Sequence, residues 1–393
     1  MKKYITSESV TEGHPDKVCD QISDKILDTA LSQDKESKMA VECTIKDNLI
    51  FIYGESSTKV KIPYEKIAKE VIKEIGYNEE YEVITKISNQ SKEISRAVNK
   101  EKISAGDQGI MFGYATDETK ELMPLPILLA NKLTEKLSIE RKKNKDSILL
   151  PDGKSQVTVE YIDDTPKRID TIIVSSSHKE SVSLEELRKY IKKEIIESVI
   201  PKKYIDNNTK IMINPAGTFI TSGSFADSGT TGRKIVVDSY GGSAKVGGGC
   251  FSSKDPSKVD RSGAYYARYV AKNIVHNKLA KRCEVSVSYA IGYDKPIHIG
   301  IDTFGTNKVS IEKIYDFVNK NFNFSVDNII KELNLYNVEY YKVASYGHFG
   351  RENLNLPWEK TKEFNQWILL KWHLKILITH HLHHFFHFFK LIK

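Results

Sequence analysis

Gly247-Gly248-Gly249-Cys250-Phe251-Ser252-Ser253-Lys254-Asp255-Pro256-Ser257-Lys258-Val259-Asp260-Arg261 is the most informative stretch of this 393-residue chain. It sets a triple glycine ahead of two lysines four residues apart, with a carboxylate two residues beyond the second lysine. Glycines let main-chain N–H groups approach an anion closely, lysines add compact positive charge, and Asp260 is able to hold a cation. Pro256 suits the first turn of a helix whose positive end would face the same anion. A polyphosphate with its magnesium asks for this combination.

Working outward, Gly13-His14-Pro15-Asp16-Lys17 repeats the arrangement near the N-terminus. Pro15 opens a helix with an acid and a base in its first turn. His14 is able to donate to, or protonate, a leaving oxygen near neutral pH, and Asp16 suits magnesium. The plainer alternative is a helix cap in which Asp16 serves only the dipole. Asp20, Asp24 and Asp28 recur at helical spacing and read as a solvated face.

Hydrophobic periodicity gives a recurring order of helix, hairpin, helix. Pro15–Asp34 reads as a helix, Met39–Lys46 and Leu49–Gly54 as a hairpin, and Tyr64–Ile75 as a helix stopped by Gly76. The order returns with a helix near Glu121–Arg141, strands near Gln156–Tyr161 and Arg168–Ser175, and a helix over Leu184–Ile200. It returns again with a helix over Ser257–Lys281, strands near Val285–Ile291 and Ile297–Thr303, and a helix near Ile311–Phe322. Three such units predict an α+β fold of three similar modules, each a sheet covered on one face by helices.

Gly13–Lys17, Gly106-Asp107-Gln108-Gly109-Ile110-Met111-Phe112-Gly113-Tyr114 and Gly247–Arg261 resemble, in order and approximate spacing, the signature motifs of the S-adenosylmethionine synthetase (methionine adenosyltransferase) family. Thr231–Asp238 and Tyr346–Arg351 match as well, and the similarity runs from about Tyr4 to about Lys360. The resemblance implies three domains related by pseudo-threefold symmetry that interleave along the chain. We expect them at 1–103, 104–222 and 223–360, followed by an atypical basic, His-rich tail at 361–393. It also implies that the sulfur of methionine attacks the ribose C5′ of ATP, and that the expelled triphosphate is hydrolysed to pyrophosphate and phosphate.

The same resemblance implies roles for single residues. His14 serves the leaving oxygen, and Lys154, Arg233 and Lys254 hold the phosphates. Asp152, Phe219, Asp227, Lys234 and Cys250 complete the ATP set. Glu55, Gln90, Asp107, Asp227 and Lys258 face methionine, Gln90 from a loop that closes over the site. Asp16 and Asp260 bind Mg²⁺, two ions per site, and Glu42 a K⁺ ion. For Asp107 a turn aspartate bonded to its own backbone is the bland alternative, and for Glu42 a solvated strand residue. The family assembles as a homodimer with shared sites, paired into a dimer of dimers. Thr218, Cys250 and Ser253 depart from the family pattern; a Cβ at Ser253 threatens to crowd a phosphate.

Composition narrows the alternatives. Forty per cent hydrophobic and 28% charged residues fit a globular chain. A net charge of +7 without a basic stripe interleaved with aromatics argues against nucleic acid. Cys19, Cys43, Cys250 and Cys283 are scattered, as in a reduced cytoplasmic protein, and no secretory signal or membrane span is expected. Two readings of other classes are a non-catalytic paralogue and an unrelated triphosphate-binding kinase or hydrolase. The second needs a proton-accepting base near an acceptor hydroxyl, and no such constellation stands out.

Beyond Lys360 the resemblance stops. The last 33 residues hold six of the 11 histidines, with Lys371 and Lys375 one turn apart and a His380–His387 cluster like a metal-binding tract. The preferred reading is a foreign C-terminus following a complete enzyme. Truncation after Glu363 is therefore expected to leave the melting temperature and specific activity intact; a large loss of either contradicts this.

Overall fold

A computed structural model describes residues 1–89 and 103–364. Residues 1–360 form one compact unit; of the second unit, 361–393, only residues 361–364 are described. In chain order the main elements are β1 (Lys2–Val10), α1 (Pro15–Gln33), β2 (Lys38–Lys46), β3 (Leu49–Ser57), α2 (Tyr64–Ile75), β4 (Glu82–Ser88), β5 (Gly109–Thr116) and α3 (Leu125–Lys143). They continue with β6 (Leu149–Ile162), β7 (Thr165–His178), α4 (Leu184–Tyr190), β8 (Lys210–Ile213), β9 (Gly229–Thr230), α5 (Val259–His276), β10 (Arg282–Tyr289), β11 (His298–Asp302), α6 (Ile311–Asn321) and α7 (Val326–Glu332).

Among the described residues the strands form three sheets, in the orders β4-β3-β2-β9, β1-β6-β7-β8 and β11-β10-β5. Each is built on a hairpin, and each takes one strand from an earlier or later stretch of chain in a cyclic exchange. β1 joins the second sheet beside β6, β5 joins the third beside β10, and β9 returns to the first beside β2, all antiparallel. Helices α1, α3 and α5 follow these exchanged strands and pack on the sheets. Alternation explains the half-covered sheets: in β2, Met39, Val41, Cys43 and Ile45 are buried while Ala40, Glu42 and Thr44 are only half-buried. No helix among the described residues is long and apolar enough to cross a membrane.

Helix α1 departs from expectation. His14 caps it, Pro15 occupies its first turn, and Ile22, Ile26 and Ala30 enter the core. The aspartates read as a solvated face are instead inside. Asp20 and Asp24 have no exposure, and Asp28 is half-buried. Residues four apart share one side of a helix, so these carboxylates line up and together grip three segments distant in sequence. Asp16 accepts the Thr230 N–H at 2.9 Å, Asp20 the Gly232 N–H at 2.8 Å, and Asp24 the Ser253 N–H at 3.0 Å. Asp28 accepts the N–H groups of Tyr340 and Tyr341 at 2.9 and 2.8 Å. Sequence spacing revealed the row but not its partners, which lie more than 200 residues away.

Element limits shifted modestly. The helix expected from Ser257 begins at Val259, so Pro256 precedes it. The helix over 184–200 widens to π geometry between Ile191 and Ile196.

Burial pushes the Asp28 carboxyl up to about 7, with Asp24 adding to it and the two N–H donors opposing. The unfolded value is about 4, so the native state holds this proton between the two values. The resulting stability is complete below that window and is lost as pH rises through it. Thermal melts should show the unmodified chain losing stability relative to Asp28→Asn between about pH 4 and pH 7. A constant or growing difference contradicts the assignment.

Candidate active site

The segment from Thr11 to Asp16 carries the first group of predicted residues. His14 is buried, and its Nδ1 accepts the Asp16 N–H at 3.2 Å. That contact leaves the ring proton on Nε2. Burial, reinforced by the charge of Lys234, presses its basicity down to about 3. The neutral imidazole is thus a hydrogen-bond donor through Nε2 and not a ready acid.

Asp16 receives Lys234 Nζ at 2.6 Å and lies 3.4 Å from Arg233 Nε. Burial raises its carboxyl, but Lys234 and the Thr230 N–H outweigh this and hold it below the usual range. Lys154 stands exposed on β6 opposite Val10, close enough for its charge to depress His14 further. Asp152, buried beside it, accepts the Gly223 N–H at 2.9 Å, and burial raises its carboxyl to about 6. Asp227 is exposed, bonds the Ser228 N–H at 2.8 Å, and acts electrostatically on both His14 and Asp152.

The second group gathers at the start of α5. Lys254 bonds the Asp260 carboxylate, and Lys258 lies 3.1 Å from Asp255. Two glycines of the run are required by the protein's own packing. A Cβ on Gly249 would lie 2.2 Å from the Asp260 carboxyl carbon, and one on Gly247 would strike the Ile110 carbonyl oxygen at 1.7 Å. Cys250 backs onto Gly232, whose Cβ would meet the Cys250 Cβ at 2.6 Å.

Strand β2 ties the two groups together. Thr44 pairs with Thr230, just before Arg233 and Lys234, and Ala40 bridges Lys254. At about 3.3 Å per residue the four-residue separation sets these two backbone anchor points on β2 roughly 13 Å apart. Glu42 lies between them on the same face, and Glu55 pairs with Ala40 across the hairpin. Phe219 is anchored at the end of β7, its carbonyl accepting the His178 N–H at 3.0 Å.

Asp107 bonds the N–H of Gln108 at 2.7 Å, as a turn aspartate does. Gln90 lies outside the described residues. Asp20 and Asp24, which the sequence pattern reads as a solvated face, and Tyr77, which it does not single out, each fix the backbone of a site segment. Arg261, inside the decisive stretch, was a signal for one of them: it is wholly buried and meets Asp24 at 2.5 Å.

Residues 2–101, 102–219 and 221–360 match the N-terminal, central and C-terminal domains of S-adenosylmethionine synthetase. An S-adenosylmethionine synthase of Finegoldia magna is 48% identical over 377 residues, which cover 91% of this chain and 96% of the relative.

Ser253 sits at φ +80°, in the left-handed region, and its buried Oγ has no hydrogen-bond partner among the described residues. Each feature costs about 1–3 kcal/mol, partly offset by glycine's greater unfolded freedom. Ser253→Gly should therefore stabilise the chain by about 1–2 kcal/mol in denaturant titration; destabilisation contradicts this reading.

Proposed function

From the premise that this chain belongs to the S-adenosylmethionine synthetase family, we propose how its residues make S-adenosylmethionine from ATP and L-methionine. The observation that carries the reading is the buried, neutral His14 with Nε2–H free of Asp16, flanked by Lys154, Arg233 and Lys234.

The thioether sulfur of methionine has no proton to lose, so its attack on C5′ requires no general base. One bond forms, S–C5′, and one breaks, C5′–O, leaving negative charge on the triphosphate. Catalysis then rests on alignment and on stabilising that charge. His14 donates Nε2–H to the departing oxygen. Arg233 and Lys234 hold the chain of phosphates at one end of β2 and Lys254 at the other, with Lys154 beside His14. Asp152 and Phe219 take the nucleoside side, Cys250 lines the phosphate path, and Glu55, Asp107, Asp227 and Lys258 face methionine. Water then splits the triphosphate into pyrophosphate and phosphate.

Asp16 and Asp260 fit magnesium in chemistry: each is a hard oxygen donor at a phosphate-facing segment, now satisfied by a lysine. Magnesium characteristically takes one or two carboxylates plus substrate phosphates, not a full protein cage. Bound there, it would supply further neutralisation of the triphosphate. Glu42, half-buried between the two anchor points, suits K⁺. Assembly as a homodimer, paired into a tetramer in the cytoplasm, belongs to the same reading.

Incubation with ATP, methionine, Mg²⁺ and K⁺ should yield S-adenosylmethionine with pyrophosphate and phosphate, dependent on methionine. His14→Ala and Lys254→Ala should each lower kcat by about 10²–10³. Turnover unaffected by either substitution would contradict the assignment.

A further inference from the structure

The height of His14 in the site is set by the chain that leads into it. The segment before it is held from several sides. Thr11 Oγ1 donates to the Pro151 carbonyl at 2.7 Å, and Arg141 and Lys142 each reach Glu12 at 2.6 Å. Gln21 donates to the Glu12 carbonyl at 2.7 Å. Gly13 lies against β6 so closely that a Cβ would fall 2.5 Å from Pro151. Its carbonyl, one peptide before the histidine, accepts the hydroxyl of Tyr77 at 2.6 Å.

Tyr77 is itself placed without freedom. It follows Gly76, which ends α2 at φ +107°. The N–H groups of Gly76 and Tyr77 both return to the Ile72 carbonyl at 3.2 Å, a capping arrangement that fixes the exit direction of the chain. The ring is buried, and its hydroxyl presses on Gly223, where a Cβ would lie 2.4 Å away. Gly223 in turn donates its N–H to Asp152 at 2.9 Å. One hydroxyl thus sits where the His14 turn, the Asp152–Gly223 contact and the end of α2 converge.

We propose that Tyr77 is a positioning residue for the reaction, its hydroxyl setting the Gly13–His14 turn so that Nε2–H meets the leaving oxygen. The proposal rests on the role given to His14 above. A displacement of the donor by about 1 Å is worth up to a hundredfold in rate. Alignment realised in the transition state appears in kcat and not in substrate affinity.

Tyr77→Phe keeps the ring and removes only the donor. Its kcat should fall between about ten- and a hundredfold, with KM for ATP and for methionine nearly unchanged and the melting temperature close to that of the unmodified chain. The same substitution in a His14→Ala background should change kcat by less than about twofold, because the two act as one unit. Equal falls in both backgrounds, or no fall in the unmodified chain, would overturn the proposal. If His14→Ala alone leaves kcat intact, the role of His14 fails first and takes this proposal with it.

Discussion

The row of carboxylates along α1 is the constraint on which the site depends. Like charges one turn apart repel, and taking each out of water costs several kcal/mol unless it is paired. Asp16 is offset by Lys234 and Arg233, Asp20 by Lys17, and Asp24 by Arg261. Asp28 receives two main-chain N–H groups, but no ion pair with a cation joins it among the described residues; burial raises its carboxyl to about 7, and burial raises Asp20 as well despite Lys17. The balance works because each carboxylate also takes a main-chain N–H from a loop, at Thr230, Gly232, Ser253 or Tyr340. The loops carrying Arg233, Lys234 and Lys254 are therefore fastened to one rigid rod. A cationic site for a polyphosphate needs such fastening, since its lysines and arginines repel one another until the anion arrives.

Much of the fold was legible because hairpins and amphipathic helices have short-range signatures. Tyr64–Ile75 was read to the residue, since Gly76 in the left-handed region leaves no alternative end. The cyclic strand exchange was not legible from pattern. β1 pairs with β6 across 140 or more residues, and β9 is only two residues long. Nothing local in Gly229-Thr230 announces a strand; it is one because Thr44 and Ile45 stand opposite.

The site was legible in its residue types and obscure in its protonation and support. Histidine before proline pointed to a group near the leaving oxygen, yet only burial and the Asp16 N–H reveal a neutral donor and not an acid. The aspartates of α1 looked solvated because a polar helical stripe usually is. Their partners sit in glycine-rich loops whose backbone N–H groups carry no signature in sequence. Ser253 shows the converse: its identity flagged a departure, and the structure adds backbone strain and a hydroxyl without a partner among the described residues, at the Asp24 contact.

Amide hydrogen exchange across residues 228–234 and 250–254 tests the fastening most directly. Slow exchange at Gly232 and Ser253 in the unmodified chain is predicted, with Asp24→Asn releasing the Ser252–Lys254 segment while Thr230–Gly232 stays protected. Rapid exchange at both loops in the unmodified chain, or no response of Ser253 to Asp24→Asn, would contradict the claim that α1 holds the phosphate-facing loops in place.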